Sequence, residues 1–507
     1  MTDSMMRFMT PVKPLRRLPS LGHTTATSFK LWARCSKDGQ WKIALKVLDA
    51  IGNEVFKSEL ATNKKLSNSG VIEITGLQPS ASYFVYIGRV KSLSSLDWQN
   101  ITPLTVKTFP SEEQLTQTKF VLTSCRHPAQ LLSAGQKNAM LNIMHERMQE
   151  AGDFDFRIAC GDQIYADHPF TVLSNGTAPK SYKGFANRYL KNYNRAHNRV
   201  ASKIPTYCTF DDHELVNDWA FSDFTDQRSK KKKSARDTRI LNHGLLAYDT
   251  FQHALNPNFT QQALESRIDA NYITSEFEYW YTFSHSKSGF FAMDTRYQRI
   301  EGPEFDPDEN SEPTSVRNSF IQLIDPDTQL QDLKVFLRCN RHRVKFIVSA
   351  MPFVPDTLPE GIGHGRAPFT APFDKWKGGH SQRKEILDII DQENIKNVFF
   401  LSGDVHCSFV AKVSKDGKTI AHNIISSALN WPIFGLGRNS FQLGPIYGAE
   451  QYNTDIISTC EHTGKVQFVE KRNNYVEVVV SGNEITITTI NNLNEISSVV
   501  RVPVETH

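Results

Sequence analysis

Between Gly22 and Phe109, short runs of alternating apolar and polar residues (FKLWARC, WKIALKVL, VIEITGL and SYFVYIGRV) are separated by polar or Gly-containing turns. Period-two alternation buries one face of a strand and exposes the other, so this stretch predicts a small all-β sandwich. The polar stretch SEEQLTQT follows as a linker. From Lys119 the rhythm changes to apolar runs that each stop in a polar cluster and feed a helix-like segment, the pattern of an α/β layered fold. KFVLTSC, FDFRIAC, IPTYCTF, FFAMDTR, VKFIVSAMP and NVFFLSGDVH read as strands, and the segment from Ala134 to Glu150 as a helix. Tyr475 to Asn491 reads as a hairpin with a Gly-Asn turn at the edge of the catalytic sheets. The expected organisation is an extension over 1–20, a β-sandwich domain over 21–110 and a catalytic domain over 118–500.

Composition narrows the function classes. A chain of 507 residues with 39% hydrophobic and 22% charged content can bury a large core. Its formal net charge of +4 is small for that length, which argues against whole-molecule affinity for nucleic acid or membranes; neither partner is expected, and the oligomeric state is left open. The basic run from Arg228 to Asp237 reads as a solvated segment or an anion-docking patch. Seven scattered cysteines with no C-x-x-C pair fit reduced thiols. The N-terminus lacks a signal-like apolar core and no run reaches bilayer length, so cytoplasmic residence is the expectation, with signal-independent export left open.

The polar clusters at strand ends carry the chemistry, because open α/β sheets bind ligands at the carboxyl ends of their strands. In CGDQIYAD, Asp162 stands three residues before Tyr165, a spacing that can place a carboxylate and a phenolate on one hard metal ion. A carboxylate bridging two metals is the usual requirement of a two-metal phosphoester site; a plain turn is the alternative reading. FDDHELVNDW gathers Asp211, Asp212, His213, Glu214, Asn217 and Asp218 behind an apolar run. In LSGDVHCSF, period-two spacing puts Asp404 and His406 on one face.

These motifs, T-S-C, G-D-x-x-Y, D-D-H-E with N-D-W, M-D-T-R, D-x-W-x-G and S-G-D-V-H, span Ser124 to His406 in the order seen in alkaline phosphatase D-like proteins, a branch of the calcineurin-like metallophosphoesterases. The β-rich first domain, whose Ile74 to Ile87 stretch is similar to a fibronectin/immunoglobulin-like corner pinned by a Leu and a Tyr, matches as well. The resemblance implies a four-layer β-sandwich flanked by helices and a metal-dependent phosphatase or phosphodiesterase acting on small phosphoesters. It implies that Asp162 bridges two metals and that Cys125, Tyr165 and Asp404 complete one site, which holds iron in the family. Asp212 stands where the superfamily has a ligand Asn, with Asp211 as a further ligand candidate, and His213 on the histidine that meets the substrate. Asp404 and His406 stand in the places of the superfamily's closing two histidines. A departure follows at Met351, where a ligand histidine is usual. The second site is thus expected to be oxygen-rich and to favour Ca²⁺, with Mn²⁺, Mg²⁺ or Zn²⁺ as alternatives. The implied mechanism is in-line attack of a metal-bound hydroxide, with His213 stabilising the transition state or protonating the leaving oxygen.

Other residues carry open readings. Arg126 pairs with a phosphoryl oxygen or makes a surface salt bridge, Arg296 is a buried structural arginine, and Trp376 stacks on a leaving group or packs in the core or a lid. The acidic segment from Glu301 to Val316 is expected to wall the site. No cysteine has the downstream arginine of a cysteine phosphatase, and the segment around Gly417 lacks the phosphate-loop spacing. His145-Glu146 and His213-Glu214 lack the second histidine of zinc proteases. The rival reading from another class is a decayed phosphoesterase serving as a scaffold; the enzymatic rival is a nuclease or lipid phosphodiesterase.

Overall fold

The computed structural model describes residues 9–35, 41–128, 138–168, 178–225, 237–300, 322–358, 375–431 and 440–505. The segment from Glu301 to Val316, Asp374 of the D-x-W-x-G motif, the start of the helix expected from Ala134, and all but Asp237 of the basic run lie outside the described residues.

The first strands form two facing sheets. One holds Ser20–Thr24, Ser28–Arg34 and Ser69–Thr75, and the other Glu54–Leu60, Lys42–Leu48, Ser82–Val90 and Leu104–Lys107. Phe29, Leu31, Ile43, Leu45, Ile74 and Val85 fill the space between them. Tyr83 pins the corner, its hydroxyl accepting from Gln78 N at 2.7 Å, while Leu77 is buried beside it. Lys30 reaches out of this sandwich and donates to the Asn256 and Phe259 carbonyls at 2.6 and 2.9 Å, anchoring it to the rest of the chain.

The larger part is built on two further sheets. A six-stranded sheet runs Thr206–Thr209, Phe156–Cys160, Thr118–Thr123, Asn474–Val480, Glu484–Asn491 and Ile496–Pro503. An eight-stranded sheet runs Tyr281–His285, Ser288–Ala292, Val344–Ser349, Val398–Ser402, Lys418–Ile425, Phe409–Lys415, Ala449–Ile456 and Gly444–Ile446. Their inner faces meet through Phe120, Phe156, Phe283, Phe290, Phe346 and Phe399. Each fully buried aromatic contributes on the order of 1.5–3 kcal/mol, so this zipper holds the two sheets in a fixed relation.

Helices Gln329–Arg338 and His380–Gln392 cover the outer face of the eight-stranded sheet, with Leu333, Ile386 and Ile390 in its core. Ala139–Ala151 and Arg195–Ala201 cover the six-stranded sheet through Met144 and Val200. The result is the expected four-layer sandwich. Strands such as Phe156–Cys160, Val344–Ser349 and Val398–Ser402 are buried along their whole length, which is why they read as unbroken apolar runs and not as alternation.

One expectation is corrected. The hairpin from Tyr475 to Asn491 is not edge structure: Asn474–Val480 pairs antiparallel with Thr118–Thr123 in the middle of the six-stranded sheet, and Ile496–Pro503 forms the edge. The run YVEVVV is apolar because helices and the opposing sheet cover both its faces.

Candidate metal centre

Six strand ends meet at one place. Thr118–Thr123, Phe156–Cys160 and Thr206–Thr209 are mutually parallel, as are Ser288–Ala292, Val344–Ser349 and Val398–Ser402. Their carboxyl ends deliver Cys125, Asp162, Asp211 with Asp212, Asp294, Met351 and Asp404. Four of the residues there adopt left-handed backbone, Cys125, Asp162, Asp404 and His406, with φ of 49°, 55°, 68° and 55°. Such conformations cost about 1–3 kcal/mol each and persist where the surroundings enforce them, typically at functional sites. The packing is close enough that a Cβ on Gly403 would overlap the Ser124 side chain.

Asp162 is the hub. Its Oδ2 accepts from Tyr165 Oη at 3.0 Å and lies 3.5 Å from Cys125 Sγ, while its Oδ1 is buried with no hydrogen-bond partner. Asp162, Asp212 and His213 offer ligand atoms that all lie within 4.8 Å of one another. Asp404 N donates to Ser124 Oγ at 3.2 Å, beside Cys125, and Tyr165 Oη lies 3.3 Å from His406 Nε2. The structure therefore brings Cys125, Asp162, Tyr165, Asp212, His213, Asp404 and His406 together. Asp211 is adjacent but engaged: its Oδ1 accepts from Arg296 Nε at 2.6 Å, and Oδ2 stays unpartnered.

Burial dominates the electrostatics. It raises the pKa of Asp162 well above the carboxylate range, reinforced by the charges of Asp212, Asp211 and Glu214 and opposed by His213. Burial likewise raises Cys125, helped by Asp162 and Asp404, and Tyr165, helped by Asp162 and Cys125. Asp211 is pushed up to about 8 by burial despite Arg296. So many acids crowded together are held ionised only with a strong local positive charge, and a bound cation inverts this pKa logic. The orphaned Asp162 Oδ1, together with carboxylate, thiol, phenol and imidazole donors, fits a metal.

His406 is the opposite case. Burial, with His213 and Lys375 adding to it, lowers its pKa to about 3, so the ring is neutral. It stacks on Trp431 with centroids 3.6 Å apart. Burial also pushes His213 toward neutrality, but Asp167, Asp212 and Asp162 outweigh it and raise its pKa well above normal.

Three predicted residues lie elsewhere or serve the frame. The Arg126 guanidinium is buried, donates through Nη2 to Asn138 Oδ1 at 3.1 Å, and among the described residues makes neither a surface salt bridge nor a hydrogen bond with the carboxylates. Glu214 is not at the hub: its carboxylate accepts from the Asp162, Gln163 and Asp211 amides at 3.0, 2.7 and 2.9 Å, stapling two strand ends together. Trp376 is fully buried against Phe353 and donates to Ser349 Oγ, a core side chain.

Two site residues escape the sequence reading. Asp167 Oδ1 accepts from His213 Nδ1 at 2.8 Å; its only signal is its place at the end of GDQIYAD. Lys375 donates to Asp404 Oδ2, from within the D-x-W-x-G segment. The expected departure at Met351 stands, since its side chain is buried in the apolar core of the eight-stranded sheet.

The chain is similar to known phosphatases along most of its length. It is 21% identical over 483 residues to alkaline phosphatase D of Bacillus subtilis (strain 168), covering 91% of this chain and 74% of that protein. Its fold superposes on a solved structure of PhoD with a TM-score of 0.70 at 16% identity, over 97% of this chain and 92% of the other. A purple acid phosphatase from yellow lupin (Lupinus luteus) seeds shares the fold more distantly, with a TM-score of 0.56 at 12% identity over 96% and 74% of the two chains. The family model for PhoD-like phosphatases matches residues 120–488, from the first strand of the six-stranded sheet onward. The chain belongs to the PhoD-like phosphatase family and is a phosphoric ester hydrolase.

Proposed function

We propose that this hydrolase cleaves small phosphoesters at a site where Asp162 would be shared between two metal ions. One observation carries the reading: Asp162 Oδ1 is buried and without a donor, with an Asp212 carboxylate oxygen within 4.8 Å to share a metal and the His213 ring equally close to act on the substrate. Cys125, Tyr165 and Asp404 would complete one site with Asp162, and Asp212 the other, with Asp211 and His406 at the margin. The thiol and phenol favour Fe³⁺ at the first site, and the oxygen-rich set favours Ca²⁺ over Zn²⁺ at the second. When bound, the ions supply Lewis acidity for the attacking water and the phosphoryl oxygens.

The chain's own residues complete the reaction. His213, kept protonated by Asp167, donates a proton to the leaving oxygen, so that no alkoxide is expelled. The Lys375 ammonium, at Asp404, adds positive charge beside the phosphoryl group. Trp431 packs on His406 and Tyr165 and keeps that side of the centre dry. The reading is tested by elemental analysis of the purified protein, with rates on aryl phosphate mono- and diesters before and after chelation. Bound iron and calcium with chelator-sensitive turnover support it; a metal-free protein with full turnover contradicts it.

A further inference from the structure

Arg126 and Arg157 are buried within electrostatic reach of one another, with no acid paired to either among the described residues. They are 2% and 1% exposed. Arg126 donates through Nη2 to Asn138 Oδ1, and Arg157 Nη2 lies 3.4 Å from His197 Nε2. Nε and Nη1 of both residues are buried and have no hydrogen-bond partner. Among the described residues, neither guanidinium forms an ion pair with a carboxylate. The polar groups around them are neutral: Asn194 Nδ2 donates to the same Asn138 Oδ1 at 3.0 Å, and Tyr193 stacks on His197 with centroids 4.1 Å apart. Burial and the two arginines hold His197 far below its ordinary pKa, so it adds no charge but also cancels none.

A buried guanidinium cannot readily shed its proton, and leaving one uncompensated costs several kcal/mol. Two within electrostatic reach of each other add repulsion to that cost. Water would satisfy the idle N–H groups without cancelling the charge. An anion does both.

We propose that Arg126 and Arg157 form a buried site for a small inorganic anion, accepting from the idle Nε and Nη1 groups of both. The site is tied to the catalytic strand ends through the backbone. Arg126 N donates to the Asp162 carbonyl at 2.8 Å, and Asn192 Nδ2 bridges the Arg126 and Gln163 carbonyls at 3.3 and 3.0 Å. A bound anion would therefore brace the turns that carry Cys125 and Asp162.

The test is anomalous diffraction from crystals of the full chain grown in bromide, paired with thermal unfolding in gluconate buffer titrated with bromide or phosphate. A bromide peak within hydrogen-bond distance of both arginines is expected. So is a rise in Tm of roughly 2–4 °C at saturating anion, absent in Arg157→Met. Phosphate acting where bromide does not, with phosphate density between the arginines, also supports the site and assigns it to an oxyanion. Water between the arginines in both crystals, or bromide only at surface positions, an adventitious ion only, overturns the proposal. An equal Tm response in Arg157→Met overturns it as well. Should that variant not fold, the wild-type density decides.

Discussion

Asp167 and His213 form a carboxylate–imidazole pair, Oδ1 to Nδ1 at 2.8 Å, in which the carboxylate is buried and the imidazole is 12% exposed. The Asp167 side chain is 3% exposed, and its second oxygen accepts from Asn217 N at 2.8 Å, so the carboxylate is fixed from both ends. The pair orients the ring and keeps it charged, and both are needed if His213 is the acid.

Asp167→Asn removes that charge while keeping the shape. The expected outcome is a fall in kcat of roughly 10- to 100-fold with KM little changed. Because the His213 pKa is held up by Asp167, the alkaline limb of the kcat profile should move to lower pH. A pH–rate series on an aryl phosphate checks this; a slower enzyme with an unmoved limb would mean that Asp167 serves only packing.

Arg296 and Asp211 make a second buried pair, 0% and 1% exposed at their side chains, and Arg296 Nη1 also donates to the Trp219 carbonyl at 3.2 Å. Arg296→Met leaves a buried carboxylate without its partner, and the expected loss of stability is about 3–5 kcal/mol. Urea unfolding measures it. A loss under about 1 kcal/mol would show the pair to be solvated.

Far from the centre, His422 packs on Phe399 with rings 5.0 Å apart, and burial lowers its pKa to about 4. Its folded pKa lies below the unfolded value of about 6.5, so between those values the unfolded chain binds the extra proton. Stability from this group is therefore present above about pH 6.5 and is lost as pH falls toward 4, by an order of 3 kcal/mol. His422→Phe should flatten the stability profile in that window; an unchanged slope would contradict the assignment.

Much of this was legible in the sequence, and the residues show why. Asp162, Asp212 and Asp404 each follow an apolar run, so strand-end placement alone points at them. Tyr83 could be read as a corner because the turn before it is local. Arg126 misled because adjacency to Cys125 says nothing about where a long side chain turns, and here it runs to Asn138. Asp167 and Lys375 were missed because their partners, His213 and Asp404, are distant in sequence. The middle position of Asn474–Val480 was hidden for a similar reason: its neighbour, Thr118–Thr123, lies at the other end of the catalytic part, and hairpin chemistry reports only local pairing.

In the proposed function Asp162 is the carboxylate that would be shared between two metal ions. Asp162→Asn keeps the volume and the contact with Tyr165 but loses the bridging charge. The most direct test is metal content and aryl phosphate turnover of this variant beside the wild type, with circular dichroism confirming the fold. The expected result is a folded protein that has lost bound metal and at least about 100-fold in rate; a variant that keeps its metal and its turnover would contradict the role given to Asp162.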